Sequence, residues 1–193
     1  MLASLHLLFS VLCGQYADHT FVPGGLWLPC CQRCTGLYGG AAMAALLHLW
    51  LRPRLTARWL ALHGLCIALM VPCGAHWIPQ GPVLRAASGA VFAFGVFTFL
   101  WAPVRARMTG RSPNGSRGAP NHGVWVYTAG LGTTLALLPA LGLLGGTPGA
   151  YLLAGWVACG ALALGALVFL DLALAARGAF NSLLFRRSSS CRR

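Results

Sequence analysis

Five long apolar runs dominate this chain, near residues 35–51, 58–78, 83–102, 124–144 and 150–174. Each is close to the roughly 20 residues that cross a hydrocarbon core about 30 Å thick. In lipid every backbone polar group must be satisfied within its own segment, so runs of this kind are helices. The first run is short and must thin the bilayer or use its flanks. Composition agrees with a membrane protein, since 58% of the residues are hydrophobic and only 8% are charged.

The net charge of +12 could suggest nucleic acid, but its distribution argues otherwise. The 14 basic residues are all arginine and oppose only Asp18 and Asp171. Arg52, Arg54 and Arg58 fill the first gap, and Arg105, Arg107, Arg111 and Arg117 fill the third. Arg177, Arg186, Arg187, Arg192 and Arg193 follow the last run, while the second and fourth gaps carry none. Arginine on alternate sides fixes orientation, with the rich side cytoplasmic. The expected partner is therefore the lipid bilayer and not nucleic acid, and the expected location is the inner (plasma) membrane, crossed several times.

The apolar stretch Leu2–Cys13 is the ambiguous one, because it spans only about 18 Å as a helix. A short first span, a re-entrant helix or the remainder of a longer helix all fit it. A secretory signal fits less well: no basic residue precedes the run and no small-x-small cleavage site follows. Bulky Leu12 before Cys13 argues against a lipoprotein. The favoured reading is a membrane-inserted first helix, which gives an all-α polytopic bundle of about six transmembrane helices with both termini cytoplasmic.

On this reading residues 1–193 form a single membrane domain. Residues 14–34 make an external cysteine-rich loop, with Pro23, Gly24, Gly25 and Pro29 as turn residues and Tyr16 and Trp27 as interface anchors. Residues 105–123 make a flexible cytoplasmic linker too poor in apolar side chains to bury a core. Residues 124–176 are a helix pair and residues 177–193 a basic cytoplasmic tail. Gly36 and Gly40 form a G-x-x-x-G pair continued by Ala44, and Gly155, Gly160 and Gly165 punctuate the last run, all expected where helices pack closely in lipid.

The strongest chemical signal is Cys30-Cys31-Gln32-Arg33-Cys34, which contains a C-x-x-C just ahead of a membrane helix. Two thiols at this spacing can form a disulfide or chelate a soft metal, and a helix N-terminus beside Arg33 favours the thiolate. A structural disulfide in an oxidising compartment, with Cys13 as a partner, is the plainer alternative. The short turn at Pro53 makes the runs 35–51 and 58–78 antiparallel, which brings Cys73 and His76 level with the C-x-x-C. A metal site drawn from Cys13, Cys30, Cys31, Cys34, Cys73 and His76, with His19 in the loop, is sterically reasonable. Arg85 begins the following run on the same side.

Two further features carry weaker signals. His63, Cys66, Met70 and Cys73 share one helical face and could, with His48, pass copper or hold haem, although such residues pack as core equally well. Asp171 is the one acid inside an apolar run, which makes it a candidate proton relay unless interfacial water or a loop arginine satisfies it.

The run Leu7–Gln15, followed by Gly24 or Gly25 and then Cys31-Gln32-Arg33-Cys34-Thr35-Gly36-Leu37-Tyr38-x-Gly40, resembles the bacterial and archaeal membrane proteins grouped as domain of unknown function 2085. Leu84-Arg85-x-x-x-Gly89 resembles that family's later Leu-Arg-x-x-Thr-Gly motif, so the likeness covers about the first 100 residues. It implies the topology and marks Cys13, Cys31, Cys34 and Arg85. Gly14 stands where the family has His, and Cys73 lies near where it has an Asp-Gly pair.

Three functions follow as expectations. The first is an external metal site for Zn, Cu(I) or Fe held by thiolates. The second is thiol-disulfide exchange linked to a quinone, with Cys31 and Cys34 as the reactive pair, Cys13 resolving, and exported thiol proteins as partners. The third is a transporter or structural subunit whose cysteines tie the outer loop to the bundle. Neither a nucleotide-binding loop nor paired carboxylates are present, which disfavours kinases and hydrolases.

Overall fold

A computed structural model describes residues 2–51, 56–75, 77–109 and 122–190. The described chain is helical: α1 Leu2–Ser10, α2 Gln32–Leu51, α3 Ala57–Ala68, α4 Met70–Gly74, α5 Pro82–Thr109, α6 His122–Leu144 and α7 Gly146–Ser190. Two single 3-10 turns, Ala17–His19 and Pro23–Gly25, lie between α1 and α2. Five helical segments are long and apolar enough to cross a membrane: Gln32–Leu51, Ala57–Gly74, Pro82–Arg107, Trp125–Leu144 and Gly146–Gly178. The chain is thus an all-α membrane bundle.

Helix α1 has nine residues and rises about 14 Å, too little to cross a core of about 30 Å by itself. It docks on the bundle instead. Phe9 is fully buried and its ring meets that of Tyr38 on α2 at 5.3 Å between centroids.

The second apolar run spans Ala57–Gly74 with one irregular turn. That turn falls at Leu69 between α3 and α4, and Pro72 supplies the reason: a proline removes its own N–H and crowds the carbonyl four residues back, here that of Ala68. The first helix of the bundle starts earlier than its apolar run, at Gln32, because the Cys31 carbonyl accepts from the N–H of Thr35 at 2.8 Å. Cys31 therefore stands just before α2, and Cys34 lies in its first turn.

Helix α2 is the hub, packed against α5, α6 and α7. Its approach to α5 is set by glycine: a Cβ on Gly36 would overlap the Ala86 carbonyl, and one on Gly89 the Arg33 carbonyl. In lipid, association relies on such close packing rather than on apolar transfer from water. On α7 only Gly160 does this, against the Tyr38 carbonyl, while Gly155 and Gly165 face open space. Trp156 of α7 donates from Nε1 to the Gly39 carbonyl at 3.0 Å. Helix α7 runs 45 residues, about 68 Å of rise, more than twice the hydrocarbon thickness.

Candidate metal centre

Cys13 is the first piece of the site, and local structure fixes it. Its N–H donates to the Phe9 carbonyl at 2.8 Å, extending the end of α1. Gln15, in the left-handed region at φ 47°, donates from Nε2 to the carbonyls of His6 at 2.9 Å and Pro29 at 2.7 Å. His6 in turn donates from Nε2 to the Trp27 carbonyl at 3.1 Å. One amide thus fastens α1 to the strand of loop entering α2.

The loop returns Cys31 to Cys13. Thr20 and Cys31 form an isolated antiparallel bridge, and the Leu28 N–H donates to the Phe21 carbonyl at 3.1 Å. The Cys31 N–H then donates to Cys13 Sγ at 3.3 Å. One helical turn places Cys34 beside them. The three sulfurs of Cys13, Cys31 and Cys34 all lie within 4.8 Å of one another. Tetrahedral zinc with sulfur at about 2.3 Å needs ligand separations a little under 4 Å, so small side-chain rotations suffice.

Electrostatics favours a thiolate at Cys13. The thiols of Cys31 and Cys34 and the Cys31 N–H donate toward its sulfur and hold it far below the usual thiol range, against the opposing effect of burial. Cys31 is pushed up as the donor in that pair. The positive end of α2 adds to this preference for negative charge.

The remaining residues expected at the site divide clearly. Arg85 and His19 line the same cavity as the three cysteines, as does Arg33. Cys30 turns away: it is buried, its Sγ contacts Thr35 Oγ1 at 3.4 Å, and burial pushes its thiol up to about 12. The sulfur of Cys73 is also outside the group of three. Its carbonyl is what reaches the region, accepting from Arg33 Nη2 at 2.9 Å and Gln80 Nε2 at 2.7 Å. The cause is the end of α4, which leaves carbonyls without helical partners. Arg33 Nη2 also donates to Gln80 Oε1 at 2.8 Å. His76 lies outside the described residues.

Gln15 and Gln80 take no part in the sequence-based site, and neither has a chemical signature that would mark it. Gln15 sits next to Cys13-Gly14 in the motif, which is the one available hint.

The soft stripe on the second run crosses the irregular turn at Leu69. Its histidine joins a different arrangement, in which His63 Nε2 meets the Tyr127 hydroxyl at 3.0 Å, Tyr127 meets Thr98 Oγ1 at 3.2 Å, and Thr98 meets His48 Nε2 at 3.2 Å. Each imidazole donates from Nδ1 to the carbonyl four residues back, Ala44 or Trp59. Asp171 lies 25 residues, about 38 Å, along α7 from Gly146. Its Oδ2 has no hydrogen-bond partner, and Arg107 supplies an opposing charge.

With Cys13 placed after α1, Cys31 just before α2, Arg33, Cys34 and His48 on α2, His63 on α3 and Arg85 on α5, one continuous segment carries these groups. Residues 13–99 match the model of the family described as predicted membrane protein, domain of unknown function 2085 (DUF2085). The matched segment begins at Cys13 and contains Cys31, Cys34, Arg33 and Arg85, so the whole sulfur group falls inside it. It excludes Tyr127 and Asp171. No curated protein and no solved structure matches the chain.

Proposed function

We propose that this membrane protein binds a soft metal ion, Zn(II), Cu(I) or Fe(II), through the thiolates of Cys13, Cys31 and Cys34. The observation that carries the reading is the convergence of three sulfurs within 4.8 Å from two separate parts of the chain. A helix N-terminus and a backbone N–H aimed at Cys13 Sγ stabilise the deprotonated form that a metal requires. Zinc sites with three cysteine ligands take sulfur, nitrogen or oxygen in the last position.

The arginine-rich gaps support a reading in which the sulfur group lies on the external side of the inner (plasma) membrane. There an unmetallated Cys31 and Cys34 would also be free to exchange disulfides with exported proteins, passing electrons to a quinone. Purified protein, prepared without chelator, decides between these two chemistries by elemental analysis together with intact mass after alkylation. Close to one metal per chain, with Cys13, Cys31 and Cys34 protected until chelator is added, supports the metal site. Metal-free protein with a disulfide among the three rejects it in favour of exchange.

A further inference from the structure

We propose that the metal at this site keeps an exchangeable position and takes an oxyanion there, of carboxylate or phosphate type, which Arg85 recognises. This rests on the metal-binding reading above and adds the class of ligand.

The donor count comes first. Among the described residues the group that converges contains three sulfurs and no nitrogen or carboxylate oxygen. His19 borders the cavity, but its Nε2 is 3.2 Å from Asp18 Oδ2. His6 is spent on the Trp27 carbonyl. Three protein ligands on a metal that prefers four leave one position for an outside ligand, the arrangement of catalytic rather than structural sites.

Space and charge then describe the ligand. The cavity that Cys13, Cys31 and Cys34 line measures about 530 Å³, within the range that holds small organic molecules and well beyond one water. Arg33 and Arg85 line this cavity as cations and Asp18 lines it as an anion, so with three thiolates and a divalent ion the formal sum is zero, and it is Arg85 locally, not the net charge, that selects the ligand. Asp18 Oδ2 lies 3.2 Å from His19 Nε2, and among the described residues it forms no ion pair with either arginine.

Arg33 is the less available cation, since its Nη2 serves Cys73 and Gln80, although its buried Nε has no partner. Arg85 makes one long hydrogen bond, from Nη1 to Gln32 Oε1 at 3.4 Å. Among the described residues no other hydrogen bond engages its fork, whose geometry matches a carboxylate or phosphate. Binding is a ligand exchange: the oxyanion bonds the metal, a metal-bound water leaves, and no electrons move.

Cobalt(II) is the probe, because its visible bands report coordination. Cobalt-loaded protein in phosphatidylcholine nanodiscs is titrated with acetate and with inorganic phosphate, beside Arg85→Gln, Arg85→Lys, His19→Ala and His76→Ala. A saturable band shift, weakened tenfold or more in Arg85→Gln and partly restored in Arg85→Lys, is the expected result. If wild-type protein takes no cobalt, the metal reading itself fails. If cobalt binds but neither anion moves the bands, or Arg85→Gln responds equally, metal binding stands and the oxyanion site is rejected. A changed spectrum in anion-free His19→Ala or His76→Ala places a protein ligand in the last position and overturns the proposal. Nanodiscs containing phosphatidic acid separate the sources: bands already shifted before acetate is added identify a lipid headgroup as the oxyanion, and unshifted bands a free solute.

Discussion

The backbone N–H of Cys31 points at Sγ of Cys13 from 3.3 Å, so the residue before α2 stabilises negative charge on a sulfur held at the end of α1. Side chains of Cys31 and Cys34 donate to the same atom. This arrangement favours negative charge on Cys13 Sγ.

Alkylation tests that preference. A thiol with its pKa lowered from the ordinary 9.0 remains thiolate as pH falls, so in metal-free protein the alkylation rate of Cys13 should stay nearly level between pH 6 and 8. An ordinary thiol would lose about tenfold per pH unit over that range. In the Cys31→Ala, Cys34→Ala double variant, which removes both side-chain donors, the dependence on pH should steepen. Cys30, whose thiol burial pushes up to about 12, should react only after denaturation. Mass spectrometry of iodoacetamide-quenched samples reads all these rates.

Metal affinity should separate the cysteines by position. Cys13→Ser, Cys31→Ser and Cys34→Ser should each weaken zinc binding by about tenfold or more, since each removes a direct ligand. Cys30→Ala and Cys73→Ala should bind zinc within about twofold of wild type, because their sulfurs stand outside the group. Competition with a chromophoric chelator measures this.

Gln15 fastens α1 to the loop through two carbonyls. Gln15→Ala should leave both carbonyls without that donor and cost about 1–3 kcal/mol. The loss appears as a lower thermal midpoint in detergent and, because Cys13 is then released, as weaker zinc binding. Gln15→Glu cannot donate to these carbonyls and should behave like the alanine variant.

Gly36→Ala places a methyl group against the Ala86 carbonyl and should cost about 1–3 kcal/mol by forcing α2 from α5. Gly155→Ala, at a position facing open space, should be neutral. The difference in thermal midpoint between the two variants tests whether glycine sets this helix pair.

Tyr127 joins His63 to Thr98, and the group links α3, α6, α5 and α2. Tyr127→Phe removes the shared hydroxyl and should destabilise the bundle by about 1–2 kcal/mol. A lower thermal midpoint in detergent checks this.

Sequence by itself determined the class of this protein. Apolar length is a local property, and about 20 such residues answer to the thickness of a bilayer whatever their neighbours do. The C-x-x-C and the cysteine at position 13 were equally legible, as motif residues. Tertiary structure alone decided which sulfurs meet. Cys30 and Cys31 are adjacent, yet one turns into the core and the other into the cavity, because a loop bridge at Thr20 and the start of α2 fix their directions. The end of α4 likewise leaves the Cys73 carbonyl to accept from Arg33, while its sulfur stays outside the group. Side-chain direction at a loop-helix junction depends on contacts distant along the chain, and no local pattern in the sequence encodes them.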